Sequence, residues 1–72
     1  MAPSRGYDPA DVIFEFYQLG STVKVTAVDP ASYTEVSMVG SPQVSEHELM
    51  RLARRKLEFV LAKKGKIDPP KT

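Results

Sequence analysis

The chain of 72 residues contains no cysteine, and its only histidine is His47. Without thiols, neither a disulfide framework nor a thiolate zinc site is available to stabilise a small fold. One imidazole also lacks the further ligands that a metal site needs, so we expect His47 to face solvent. A domain of this size buries only about 60% of the surface of its unfolded chain, so association with a second copy would add stability.

The patterns by which many enzymes are recognised are missing as well. The four glycines are scattered, which leaves no glycine-rich loop for a phosphate. A single histidine, placed as it is here, does not combine with a hydroxyl nucleophile and an orienting acid. We therefore expect no enzymatic activity, no catalytic, cofactor-binding or metal-binding residue, no cofactor and no small-molecule substrate.

Long apolar runs are absent. Residues 1–10 contain Arg5 and Asp8 but no apolar stretch, so we expect no secretory signal. No segment approaches the length of a membrane-spanning helix. The expectation is a cytoplasmic protein that does not bind a membrane.

The most informative segment that is present marks the start of a helix. Ser45 can accept a hydrogen bond from the Glu48 amide, and Glu48 can return one to the Ser45 amide. Val44 and Leu49 flank this capping box as a hydrophobic staple. A helix is predicted over residues 46–64, with Gly65 as its cap. Its core-facing stripe is predicted to contain Leu49, Met50, Ala53, Leu57, Val60 and Leu61.

Three segments before the capping box have the composition and alternation of β-strands. They are residues 12–17, 22–28 and 35–39. Leu19-Gly20 is predicted to be the first turn, which would place Glu15 opposite Lys24. The predicted fold is α+β: a three-stranded antiparallel β-meander followed by one long C-terminal helix packed on one sheet face (βββα).

This fold divides the chain into three parts. Residues 1–10 are predicted to be a disordered N-terminal lead, residues 11–65 a single domain, and residues 66–72 a flexible tail.

Charge is distributed unevenly. Residues 1–50 carry two basic and seven acidic side chains, whereas residues 51–72 carry eight basic and two acidic ones. Such asymmetry suggests an anionic partner, although it also complements the helix macrodipole. The candidate contacts to an anion or nucleic acid are Arg51, Arg54, Arg55, Lys63, Lys64 and Lys66.

Two apolar surfaces are candidates for a protein interface. Leu52 and Phe59 lie two turns apart on the helix, beside its core stripe, and remain partly exposed unless the helix sinks far into the sheet. The outer face of the sheet has no covering element in a βββα fold. Its candidate interface residues are Ile13, Tyr17, Val28 and Val39.

The order of elements resembles two classes of nucleic-acid-binding domain. One is the double-stranded-RNA-binding domain, whose second helix begins with lysines where this chain has Glu46 and Glu48. The other is the AP2 or integrase-arm domain, whose sheet contacts DNA, whereas Lys24 is the only cation on the predicted sheet here. The resemblance implies a nucleic-acid-binding module as the alternative function.

A closer resemblance covers most of residues 11–65. The segments VTAVDP (25–30), TEVSMVG (34–40) and RKLEFVLA (55–62) resemble recurring blocks of a family of short uncharacterised bacterial proteins of about 70 residues. The resemblance implies a bacterial cytoplasmic domain and carries over no site residues. Taken together, the sequence predicts a non-enzymatic interaction module that forms a homodimer or binds another protein.

Overall fold

A computed structural model describes residues 6–69. A short 3₁₀ turn over Pro9–Asp11 precedes three strands and one helix: β1 (Ile13–Leu19), β2 (Thr22–Asp29), β3 (Thr34–Gly40) and α1 (Glu46–Lys63). The strands pair antiparallel in the order β1-β2-β3, and α1 packs against β2 and β3. The predicted α+β fold, a β-meander followed by one helix, is confirmed.

The first hairpin closes through a different loop from the predicted one. Leu19 lies opposite Thr22, so the loop is Gly20-Ser21 and not Leu19-Gly20. Gly20 has a φ of 61°. A type II′ turn requires a positive φ at its first central residue, a position that suits glycine and not leucine.

The change of loop shifts the pairing of β1 with β2 by two residues. Glu15 therefore lies opposite Thr26, and Lys24 lies opposite Tyr17, so the predicted Glu15–Lys24 pair is wrong. Glu15 instead accepts a hydrogen bond of 2.8 Å from the Tyr17 hydroxyl. Because the shift is an even number of residues, every side chain keeps its predicted face of the sheet.

Helix α1 begins and ends at the residues that the caps select. The Ser45 hydroxyl accepts a hydrogen bond of 3.1 Å from the Glu48 amide. At the other end, Gly65 has a φ of 76° and its amide donates to the Ala62 carbonyl at 3.0 Å. The next amide, Lys66, donates to the Leu61 carbonyl at 2.9 Å, which completes a Schellman motif.

The core lies between α1 and the inner face of β2 and β3. The helix supplies four buried side chains at successive turns, Leu49, Ala53, Leu57 and Leu61, and the sheet supplies Val25, Ala27 and Val36. Met50 and Val60 were also predicted to lie on the core-facing stripe of α1. Both are half-buried and lie at the margins of that stripe. A helix whose inner face is filled in this way is stabilised mainly by packing.

The described segments at the two ends of the chain contact this core. Tyr7 and Ile67 both pack against it, although they lie within the predicted lead and tail. The Tyr7 hydroxyl donates a hydrogen bond of 2.7 Å to Glu58. Residues 1–5 of the predicted lead and residues 70–72 of the predicted tail lie outside the described residues.

Leu57→Ala tests the packing of the helix on the sheet. Leu57 is fully buried, so we expect the substitution to lower the free energy of unfolding by about 2–5 kcal/mol. Urea unfolding followed by circular dichroism measures this loss. The control is Ile13→Ala on the outer face, where the side chain is half exposed. Equal losses for the two variants would contradict the packing described here.

Tyr7 generates a prediction about pH. Burial, followed by the hydrogen bond to Glu58, raises the pKa of the Tyr7 hydroxyl above its ordinary value. In the unfolded chain this hydroxyl ionises at about pH 10. The contribution of Tyr7 to stability is therefore complete below pH 10 and is lost as the pH rises through the higher pKa of the folded state.

The free energy of unfolding should consequently fall above about pH 10, and Tyr7→Phe should remove part of this fall. Urea unfolding at a series of pH values measures it. Tyr33→Phe, at the exposed tip of the β2–β3 loop, is the matched control. If wild type and Tyr7→Phe lose stability in parallel, the Tyr7–Glu58 contact does not contribute.

Candidate functional site

The main candidate site is a shallow apolar groove on one side of α1, which we call the flank groove. Its volume is about 320 Å³, and it is lined by Leu52, Arg55, Lys56, Phe59, Val60 and Lys63. Phe59 is 42% exposed, and Leu52 is half-buried. The helix therefore does not sink far enough into the sheet to cover both side chains.

The position of the flank groove follows from the rotation of α1. Since Leu57 and its neighbours one turn away face the sheet, Leu52 and Phe59 must lie on the side of the helix. Lys56 fixes which side this is, because its ammonium group donates a hydrogen bond of 2.6 Å to the Ser37 carbonyl of β3. The flank groove thus lies beside the outer edge of β3.

The main-chain groups at that edge follow from the first hairpin. The residue pair that closes a two-residue hairpin is hydrogen-bonded, and bonded pairs then alternate along the strands. In the observed registers, the main-chain N–H and C=O groups of Glu35, Ser37 and Val39 therefore point away from β2. The Lys56–Ser37 contact therefore satisfies a carbonyl that the sheet leaves unpaired.

The electrostatics of the flank groove are entirely basic. Arg55, Lys56 and Lys63 border its apolar centre, and no acidic side chain of the described residues lines it. The Arg55 guanidinium lies over the Phe59 ring, 5.6 Å from its centroid, at the distance of a cation–π contact. An occupant therefore meets an apolar surface with a positive rim.

The structure divides the basic residues that the sequence grouped together. Arg51 binds Glu48 through two hydrogen bonds, of 3.0 and 2.7 Å, and this contact lowers the pKa of the Glu48 carboxyl. Arg54 lies 4.0 Å from Glu58. Arg51 and Arg54 border a second, smaller groove with Phe14, on the β1 side of the helix.

The remaining basic candidates lie at the end of the helix. Lys64 donates a hydrogen bond of 3.2 Å to the Thr34 hydroxyl, and Lys66 is exposed. The structure therefore places the six predicted cations in different surroundings. Arg55, Lys56 and Lys63 line the flank groove, as the sequence predicts for the cations that border Leu52 and Phe59. The hydrogen bond of Lys56 to the Ser37 carbonyl was not predicted.

The sequence did not predict a polar cluster at the β2–β3 loop. Asp29 is buried and accepts hydrogen bonds from the Ser32 hydroxyl at 2.6 Å and from the Ala31 amide at 3.3 Å. Ser32 also contacts the Thr34 hydroxyl, to which Lys64 donates. The Asp-Pro turn signal located this loop, but it could not show that α1 would end above it.

The outer face of the sheet carries apolar side chains at its two ends. Ile13 lies opposite Val28 at one end, and Tyr17 lies in the same row as Val39 at the other. Ile13, Tyr17 and Val39 are 47–62% exposed. A row of polar residues separates the two ends: Glu15, Thr26 and Ser37. This face is therefore less continuous as an apolar surface than the flank groove.

The part of the chain from residue 6 to residue 69 contains no group of three or more histidine, aspartate or glutamate side chains placed to hold a metal ion. It also contains no helix that is long and apolar enough to cross a membrane. His47 is exposed in the first turn of α1.

These features define a small βββα domain with an apolar, basic-rimmed groove on one side of its helix. The sequence matches a family described as a domain of unknown function, DUF6898, over residues 9–64. The chain belongs to this family, which confirms the predicted membership of a family of short uncharacterised proteins. No curated protein and no solved structure matches the chain.

Proposed function

We propose that this domain is a non-enzymatic protein-interaction module of the bacterial cytoplasm, and that it binds a protein partner through the flank groove. The observation that carries the proposal is the exposure of Phe59 beside Leu52, on a helix whose inner stripe is fully buried. Partly exposed aromatic and aliphatic side chains with a polar rim are typical of protein interfaces. The partner is a second copy of the chain or a different protein.

Two further observations support this site. The flank groove is next to the outer edge of β3, so a partner can contact helix and sheet at once. In addition, Leu52 and Phe59 lie outside the buried core, which leaves them available for contacts that folding does not use. Each would bury apolar surface on binding and so contribute to affinity.

The outer sheet face is the second candidate surface for such an interface. Its apolar residues are divided by the polar row described above, and the Thr26 and Ser37 hydroxyls in that row contact each other at 3.2 Å.

Nucleic-acid binding through the basic helix receives less support from the geometry. Phosphate contacts need several free cations on one surface, and two of the six candidates contact glutamates across the helix from the flank groove.

Photo-crosslinking tests the proposal. Phe59→p-benzoylphenylalanine places a crosslinker in the flank groove, and we expect a discrete crosslinked product when the chain is expressed in its own organism and irradiated. The matched control is Ile13→p-benzoylphenylalanine on the outer sheet face. The mass of the product distinguishes a second copy from another protein.

The same test includes a loss-of-contact variant. Leu52→Ser at the other end of the flank groove should weaken the crosslink from position 59 while leaving the helical signal in circular dichroism unchanged, because Leu52 is outside the core. A product from position 13 and none from position 59 would move the interface to the sheet. No discrete product from either position would refute the proposal.

A further inference from the structure

We infer that the partner segment that occupies the flank groove is an acidic amphipathic helix. This inference rests on the proposed function and specifies its partner. It is carried by three features of the site: the shape of the flank groove, the charge of its rim, and the state of the neighbouring strand edge.

The shape of the flank groove suits a helix. All six of its lining residues belong to α1, and they extend from Leu52 to Lys63, about 16 Å along the helix axis. A second helix that packs beside α1 over this length makes about three turns of contact. Its own apolar side chains would lie between Leu52 and Phe59, as ridges pack into grooves. Helices bound in apolar grooves use this arrangement.

The charge of the rim selects acidic side chains in the partner. Among residues 6–69, the charged residues that line the flank groove are Arg55, Lys56 and Lys63, and all three are basic. Glutamates or aspartates beside the apolar stripe of the partner would meet these cations, whereas basic residues would be repelled.

The same charges disfavour a second copy of this chain. If two copies of α1 paired antiparallel, with Leu52 of each against Phe59 of the other, residues 55 and 56 of both copies would meet at the centre. Four cations would then lie close together in a partly desolvated interface. Like charges at an interface oppose association.

The neighbouring edge of β3 disfavours an added strand. An incoming strand would need the outward main-chain groups of β3, but Lys56 already binds the Ser37 carbonyl at 2.6 Å. Glu35 also adds a charge to this edge. A lysine and a charged residue at an edge strand are common protections against strand addition. Beside this edge, the exposed apolar surface that a partner can bury is the flank groove.

A charge-exchange experiment tests the inference. The probe is a synthetic amphipathic helical peptide of about 18 residues, with leucines along one stripe and glutamates on both sides of it. The comparison peptide has lysines in place of the glutamates. Binding is measured by titration of the ¹⁵N-labelled chain, from the amide shifts of α1.

We expect the acidic peptide to bind and to shift the amides around Leu52 and Phe59, and the lysine peptide not to bind. The double substitution Arg55→Glu/Lys63→Glu reverses two charges of the rim. It should lower the affinity for the acidic peptide about 10-fold, as expected for two exposed ion pairs that become repulsive. The same variant should bind the lysine peptide. The control is Arg51→Glu/Arg54→Glu, which makes the same charge change on the other side of α1 and should leave the affinity unchanged.

Three results would overturn the inference. Equal binding of both peptides would show that the rim does not select charge. Shifts confined to Glu35, Ser37 and Val39 would show that a strand adds to the edge of β3. A crosslinked product from position 59 with twice the mass of the chain would assign the flank groove to a second copy, which refutes the acidic helix and leaves the proposed function standing.

Discussion

The packing of one face of α1 on β2 and β3 is the constraint on which the rest of the structure depends. Ala53 on the helix and Ala27 on the sheet are both fully buried, and such small side chains permit close approach of a helix to a sheet. Leu57 and Leu61 fill the space on either side of this contact. In a chain with no cysteine, this single layer of apolar contacts supplies most of the stability.

Polar contacts then fix how the helix is rotated on the sheet. Lys64 binds Thr34 at the β2–β3 loop, Lys56 binds Ser37 at the outer edge of β3, and Glu58 binds Tyr7 on the other side. Each contact joins residues at least 19 positions apart in the chain. A side-chain hydrogen bond of this kind contributes about 0.5–1.5 kcal/mol, and together the three oppose rotation of the helix. The rotation decides which side chains remain at the surface.

The surface left by this rotation is chemically asymmetric. On the side of β1, the arginines are paired with glutamates, and the N-terminal segment covers part of the helix through Tyr7. On the side of β3, Arg55 contacts an aromatic ring, and the charged residues of the rim within the described part of the chain are all basic. An apolar centre with charge of one sign is a surface that distinguishes partners by their charge. The acidic helix inferred here is the complementary partner.

The sequence by itself determined the order of the elements, their faces and the limits of the helix, because these depend on local signals. Ser45 and Gly65 cap α1 through groups only a few residues away, and alternation along each strand separates inner from outer side chains. The exact hairpin register was not determined. It depends on which residue adopts a positive φ, and the Leu19-Gly20 and Gly20-Ser21 loops preserve the same alternation.

Only the tertiary structure decided how the candidate site is composed. The sequence placed Leu52 and Phe59 beside the core stripe, but the depth to which the helix sinks depends on the side chains of two elements at once. The basic residues formed one group in the sequence, whereas in the structure Arg51 and Arg54 line a groove with Phe14 of β1, and Arg55 lines the flank groove. The role of Lys56 required the edge of β3, which lies 19 residues away in the chain. Long-range packing sets these relations, and no local pattern encodes them.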